Sequence, residues 1–448
     1  MSILYTLALA AWSLLTVPGE TEAQRLHRKG VQCQDEIERN DCAIENFEAL
    51  MAASTTRREL VTDAMLRLIR LYRAEGDTES IKPLLRKYWD AGMRRESRGH
   101  VPYSTRYVPA DFDVLINVDV ERIIAAPITR RLGADARDTL FTCDAARRHD
   151  LEDKRRWNRA KRKAAKTGRK FETVVYEELE RERQADAKRE QARKNGDAGP
   201  RGQPSPIFFE SNCEVALALG YDDLATWRRM TAMFAHENFA RSVTLAQIPG
   251  LEAQLVRAVA EARLVEVARD HWIVPNLRYQ GQEVELARLD HEELLIAPAS
   301  IIDEIIAASR DRKRKADRGL EALVYKVPRD TGFFVVLTQD AAADLGFGAM
   351  KPSTRNFLQA LLPKPKGIQI AGVFGDDFGL FTRVPTDNPV KGRLLVSIAR
   401  SLIERQSEKD SDTEELLRSL DVAEATDRRA LLASYVLSAA QIEKLVLD

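Results

Sequence analysis

Four cysteines in 448 residues are too few for a disulfide-dense scaffold and allow at most two bridges. No C-x-x-C occurs, which weakens both a zinc-ribbon and a thioredoxin-like reading. The six histidines (His27, His100, His149, His236, His271 and His291) include no H-x-x-x-H or H-E-x-x-H spacing. No helix therefore presents two imidazoles to one zinc ion. There is no Walker loop and no G-x-S-x-G elbow. An excess of charge is missing as well, with 69 Lys and Arg against 69 Asp and Glu. That balance argues against a surface built throughout for nucleic acid or anionic lipid.

What is present is enough to fold. Apolar residues make up 44% and charged residues 31% of the chain, too apolar a mixture for disorder throughout. The length suits roughly three domains of ordinary size.

The one long apolar run, Ile3 to Val17, is broken only by Thr6, Ser13 and Thr16 and ends at Pro18-Gly19. It is short for the roughly 20 residues that cross a bilayer, and it matches the apolar core of a secretory leader. Thr21 and Ala23 put small residues at the positions read by a leader peptidase, so cleavage is expected after Ala23. Met1-Ser2 offers only the α-amino group as positive charge, and Cys33 lies too far beyond the cut for lipid attachment. A buried or amphipathic first helix is the alternative. The cysteines fit an oxidising destination. Cys33 and Cys42 flank a turn expected at Asn40-Asp41, and Cys143 and Cys213 stand at the two edges of a charged segment. A bridge closing that long loop stabilises by about 3–4 kcal/mol in the chain-entropy model. Spacing alone leaves two disulfides and four free thiols both open.

Residues 24 to about 95 read as helices. Apolar side chains recur at helical spacing through Ala64–Tyr72, Gly76-Asp77 breaks the chain, and Ile81, Leu84, Leu85, Tyr88 and Trp89 resume a face. The pattern Leu68, Tyr72, Gly76-Asp77, Leu85, Tyr88 resembles a tetratricopeptide repeat, and Asn40–Leu50 is similar to the second helix of such a unit. Ile81 and Pro83 depart from that pattern, and two units fall short of a free-standing array, so the stack is expected to lean on the next domain. The resemblance implies a protein-binding groove; a plain helical cap is the other reading.

The remainder carries three ordered correspondences. Val108-Pro109-Ala110-Asp111 leads into a strand over 112–119 and an apolar helix at Val120–Ala126, and Val327-Pro328-Arg329-Asp330 leads into a strand over 333–338. Strand-like Ala240–Ala246 runs to Pro249, and strand-like Gly379–Val384 runs to Pro389, each Pro standing where a helix is expected to begin. Hairpins at Val284–Ala297 and Val422–Leu437 each precede a helix, capped by Ser300 and Ser438. The expected fold class is α+β, with an N-terminal helical region and two similar α+β halves built on antiparallel hairpins. The divisions are a leader (1–23), the helical tetratricopeptide-like region (24–100), the first half (101–309) with a charged insertion (144–204), and the second half (319–448).

Within the insertion, Lys154, Arg155, Arg156, Arg159, Lys161, Arg162, Lys163, Lys166, Arg169 and Lys170 follow one another without an acid. The segment is expected to be an exposed helix or a disordered arm. It reads either as a solvated excursion or as a contact for nucleic acid, an acidic polymer or anionic lipid heads.

No catalytic set, cofactor cradle or metal cluster is found. Asp290-His291-Glu292-Glu293 gathers carboxylates around an imidazole, but its place at a hairpin turn favours solvated turn residues. Gly372, Gly375 and Gly379 are explained by a tight β-hairpin rather than a phosphate cradle. The opener V-P-x-D-x-x-V-x-x-x-V-D, the hairpin–helix closures and the leader resemble a group of uncharacterised exported bacterial proteins. That likeness implies a periplasmic or secreted location and no activity. The expectation is a non-enzymatic envelope protein without cofactor or metal that binds another envelope protein or a ligand in a cleft between the halves. Two rivals stand beside it: a cytosolic nucleic-acid-binding protein using 154–170, and a hydrolase gathering Asp119, His271 and Asp340.

Overall fold

The computed structural model describes residues 20–53, 57–93, 111–177, 180, 183–184, 210–279, 282–310, 318–328, 330–342, 366–407 and 420–442. The leader's apolar run therefore lies outside the described residues, as do the V-P steps at 108–109 and most of the insertion beyond residue 177. The chain forms two compact units, Met1–Leu84 and Leu85–Asp448.

The first unit holds α1 (Glu22–Asp35), α2 (Asn40–Ala52), α3 (Arg58–Ala74) and the start of α4 (Thr78–Met93). Thr21 caps α1 through a reciprocal pair with Gln24, which satisfies two otherwise orphaned N–H groups. The two expected cleavage positions thus stand at the cap and in the first turn of α1. The turn between α1 and α2 falls at residues 36–39, one step earlier than Asn40-Asp41. Asn and Asp favour a helix start as much as a turn, and here Asn40 opens α2. Phe47, Leu50 and Leu66 are fully buried. A Cβ on Gly30 of α1 would fall 2.5 Å from the Phe47 ring, so glycine lets α1 and α2 close. Arg67 is buried between Asp63 (3.0 Å) and Gln34 (2.7 Å), and His27 Nε2 meets Asp63 at 2.8 Å. Gly76, with φ of 76°, turns the chain from α3 to α4.

The second unit is built on one antiparallel sheet. Its strands are β1 (Val114–Val118), β2 (Arg229–Ala235), β3 (Asn238–Gln247), β4 (Val265–Ala268), β5 (His271–Tyr279) and β6 (Gln282–Asp290). They continue with β7 (Glu293–Pro298), β8 (Phe333–Thr338), β9 (Gly367–Phe374), β10 (Phe378–Pro385), β11 (Leu420–Glu424) and β12 (Ala430–Leu437). The order is β11-β12-β10-β9-β8-β1-β2-β3-β7-β6-β5-β4, so β1 and β8 meet in the interior. Ile116 faces Val335 at the middle of that pair. Asp119 N–H donates to Gly332 C=O (2.7 Å) at one end, and Thr338 N–H donates to Asp113 C=O (2.9 Å) at the other. The sheet runs unbroken across this junction.

Helices cover the sheet: α5 (Val120–Ala125), α6 (Pro127–Phe141), α7 (Ala145–Thr167), α8 (Glu210–Leu219), α9 (Leu251–Ala260), α10 (Ala299–Arg310), α11 (Arg318–Val324) and α12 (Pro389–Ser407). One core cluster joins α5, α8 and α9 to β2, β6 and β7 through Ile123, Val215, Leu219, Met230, Leu251, Leu286 and Ile296. The fold is α+β, with helices at the N-terminus. Two expected caps need correction. Leu251, not Pro249, opens α9, because Gly250 in the left-handed region (φ 70°) takes the N-cap. Ser300 lies inside α10, and its hydroxyl bonds Gln282 rather than the helix's own N–H groups. Pro389 does open α12, with Asn388 accepting from Lys391 N–H (2.9 Å), and Ser438 accepts from Gln441 N–H (3.2 Å).

Gly375-Asp376-Asp377 forms the tight turn between β9 and β10, with Gly375 N–H donating to Asp377 C=O (2.8 Å). Gly372 lies opposite Phe333, whose ring covers it; a Cβ there would fall 2.1 Å from the ring. Gly392 of α12 is more constrained, because its Cβ would meet the Arg428 backbone carbonyl at 2.2 Å. Gly392→Ala is expected to destabilise by about 1–3 kcal/mol through overpacking. The exposed neighbour Val390→Ala should stay within about 0.5 kcal/mol. Urea denaturation followed by circular dichroism measures both.

Candidate functional site

The exposed feature with the most concentrated chemistry starts from the core. Cys143 and Cys213 are 2% and 1% exposed, and their Cα atoms are 5.0 Å apart in a disulfide pair. Cys213 belongs to α8 and packs in the same core cluster as Ile123 and Leu219, and Cys143 N–H donates to Asp222 C=O (3.1 Å). The two ends of the insertion are thereby fixed together on the body. Cys33 and Cys42 pair likewise across the α1–α2 turn, with Cα atoms 5.7 Å apart. Two of the states left open by the sequence are settled in the same direction: both pairs stand at disulfide distance, and no described cysteine is free.

From that root Asp144 caps α7, accepting from Ala146 N–H (2.8 Å) and Arg147 N–H (3.3 Å). Helix α7 ends at Gly168, whose φ of 64° is the left-handed closure glycine allows at little cost. A helical segment over 171–177 then folds back. Trp157 meets Phe171 edge-on, with ring centroids 4.5 Å apart, and Ala160, Ala164 and Val174 are buried between the two pieces. Positions 157, 160 and 164 recur at helical spacing, so they form one stripe of α7 and consume its apolar side. The residues left outward are cationic. Lys154, Lys161, Arg162, Lys166, Arg169 and Lys170 are exposed, and Arg156 and Lys163 are half-buried. Arg156 pairs with Asp153 (2.6 Å), and Arg169 grips the Glu177 carboxylate at both oxygens. Arg155 and Arg159 share the helix, and their side chains fall outside the described residues. Trp157 and Tyr176 remain 57% and 67% exposed. The expected exposed helix is present over Ala145–Thr167.

The other sequence candidates disperse. Asp119 follows β1, caps α5 through Arg122 N–H (3.0 Å) and meets Arg229 at 3.2 Å. Asp340 follows β8, which runs antiparallel to β1, so it lies at the opposite end of the sheet. His271 pairs with Ala287 on β6, several strands away. The three are not brought together. His236, at the β2–β3 turn, is buried; its Nδ1 contacts the Asp113 carboxylate, and its N–H donates to Asp113 Oδ1 (2.8 Å). That contact ties the hairpin turn to the start of β1. Arg241 nearby bridges Asp111 and Glu304 at the surface.

The cluster at 290–293 splits. Asp290, the last residue of β6, and His291, in the turn, are exposed, and Glu292 pairs with Arg228 at 2.8 Å. Glu293, expected at a solvated turn, is instead the first residue of β7, is only 8% exposed, and burial pushes its carboxyl up to about 7. The sequence offered no signal of this, because burial depends on β3 closing over it. Among the described residues no group of three or more His, Cys, Asp or Glu is placed to hold a metal ion. No described helix is long and apolar enough to cross a membrane. No family model matches the chain, and no curated protein and no solved structure is significantly similar to it.

Two measurements follow. The 70-residue separation of Cys143 and Cys213 means that the double Ala variant should lose about 4 kcal/mol by chain entropy, against about 2–3 kcal/mol for Cys33 and Cys42, separated by 9. Guanidinium melts of the oxidised protein and both variants test that order. Glu293 holds its proton more tightly when folded than when unfolded, so its favourable contribution is full below 4.5 and is lost as pH rises towards 7. Glu293→Gln should therefore gain about 1–3 kcal/mol over wild type at pH 8 and almost nothing at pH 4.5, read from urea midpoints at the two pH values.

Proposed function

We propose that this chain is an exported, non-enzymatic protein of a bacterial envelope, delivered by the N-terminal leader, that works by binding another envelope protein or a ligand. The observation that carries the reading is the pairing of all four cysteines at disulfide distance. Such pairs persist in oxidising compartments and are rare in the cytosol. One pair closes a helical hairpin and the other closes the base of a long insertion, where loop-closure entropy gives a bridge its largest effect.

Binding in place of catalysis is supported by the dispersal of Asp119, His271 and Asp340, which removes the stated set for a hydrolase. The proposal includes tetratricopeptide-like hairpins in α1–α4, for which the Gly76 turn and the buried Leu68, Tyr72 and Leu85 speak. It also includes descent of the second unit from a duplication. Aligning Asp111 with Asp330 also aligns Ile116 with Val335, the residues that face each other across β1 and β8. Outward from that pair the order β1-β2-β3-β7-β6 repeats as β8-β9-β10-β12-β11. The pairings Thr231 with Leu245 and Gln369 with Arg383 occupy the same rungs of their hairpins when α9 and α12 are aligned at their first residues. The cytosolic nucleic-acid reading keeps one supporting observation, the cationic outer side of α7.

Intact-mass spectrometry of protein from native cell fractions, with and without thiol alkylation, tests the proposal. The expected result is loss of residues 1–23 and no alkylated cysteine in an envelope fraction. Recovery from the cytosol with residues 1–23 retained and four alkylated thiols would reject it in favour of the nucleic-acid reading.

A further inference from the structure

We propose that the helical hairpin of α7 and 171–177 is a docking surface for an anionic phospholipid bilayer. This deepens the envelope reading and rests on it for the choice of partner. The argument begins with charge. The whole chain is neutral, yet Lys154 to Lys170 contains ten Lys and Arg and no acid. Asp150, Glu152 and Asp153 precede it on α7, and Glu172 and Glu177 follow it; Asp153 is engaged by Arg156 and Glu177 by Arg169, so the cationic stretch is flanked by acids at its ends and holds none within it. Lys161, Lys166 and Lys170 are exposed. The field of such a surface is felt by a sheet of phosphate-bearing headgroups and screened within about a Debye length.

Packing supplies the second step. Ala160 and Ala164 turn inward onto Phe171 and Val174 while Trp157 meets Phe171 edge-on, so the described side chains of α7 leave no broad apolar side to sink among acyl chains. The contact is therefore superficial and electrostatic, with the exposed edges of Trp157 and Tyr176 at headgroup level, where amphipathic rings are favoured. Anchoring supplies the third. The Cys143–Cys213 pair roots the hairpin on the core, so docking would hold the body at the surface. The same pair speaks for lipid over nucleic acid, because it belongs to a compartment where nucleic acid is not the resident polyanion.

The test uses the oxidised full chain and sedimentation with vesicles of phosphatidylcholine alone or with 30% phosphatidylglycerol, at 50 and 200 mM NaCl. Binding is expected only to the anionic vesicles, at least tenfold weaker at the higher salt. The variant Lys161→Glu, Lys166→Glu, Lys170→Glu should lose at least tenfold, with helix content by circular dichroism retained. Reversal of the fully exposed Arg269, Arg269→Glu, should leave binding unchanged. Equal binding to both vesicle types, undiminished binding of the triple variant, or capture of a DNA duplex at lower protein concentration than the vesicles overturns the proposal. A cytosolic, thiol-reduced native protein whose oxidised form still binds anionic vesicles through these lysines would instead sink the export reading and leave the surface standing.

Discussion

Everything in the larger unit depends on the antiparallel contact of β1 with β8. Both strands are short and rich in Val, Leu, Ile and Phe, and each has neighbours on its two edges, so their main-chain groups are spent on pairing. Without that contact the strands fall into two sheets, each with a newly bare apolar edge. With it, Asp113 and Asp119 are held at the two ends of β1. Asp113 then fixes the β2–β3 turn through His236, and Asp119 starts α5 and meets Arg229 on β2. From α5 the chain passes through α6 to Cys143, so the root of the cationic hairpin is placed by the same strand pair.

Polar groups in this fold serve mainly as ties between elements. Arg67 joins two helices through Asp63 and Gln34, Arg288 reaches Asp270, and Arg383 donates to Gln369 inside the sheet (2.7 Å). Each is a buried or half-buried donor given an acceptor by a neighbouring element, which avoids the penalty of an unpaired polar group. The outer side of α7 differs in composition, since ten Lys and Arg fall between Lys154 and Lys170 with no acid among them. A chain with no net charge can thus carry a strongly one-sided surface, because composition averages over positions that the fold separates.

Much of the architecture is legible in the residues. β-Branched and aromatic runs mark β1, β8 and β10, Gly375-Asp376-Asp377 marks a turn, and Pro389 and Ser438 mark helix starts. The errors share one cause: polar and special residues have more than one local use. Asn40 opens a helix where a turn is expected, Ser300 bonds across to Gln282, and Pro249 yields the cap to Gly250. In β4 the alternation Val265-Glu266-Val267 is too short to mark a strand, and it reports no buried face, since all four residues face water. The burial of Glu293 follows from tertiary closure and has no local signature. The cationic helix was readable because charge without apolar residues has few folded uses, and the inward stripe at Trp157, Ala160 and Ala164 became visible only with its partner in place.

The central position of two strands so distant in the chain also shapes how the molecule is made. Hairpins such as β2–β3 and β6–β7 join neighbours in sequence and close quickly, whereas β1 must wait for β8, which begins only at Phe333. During synthesis, Val114, Ile116 and Val118 border a row of unsatisfied N–H and C=O groups. That row is a template for any other strand within reach, including the same segment of a sister polypeptide. A nascent chain halted before Phe333 would carry a half-sheet with its sticky seam open.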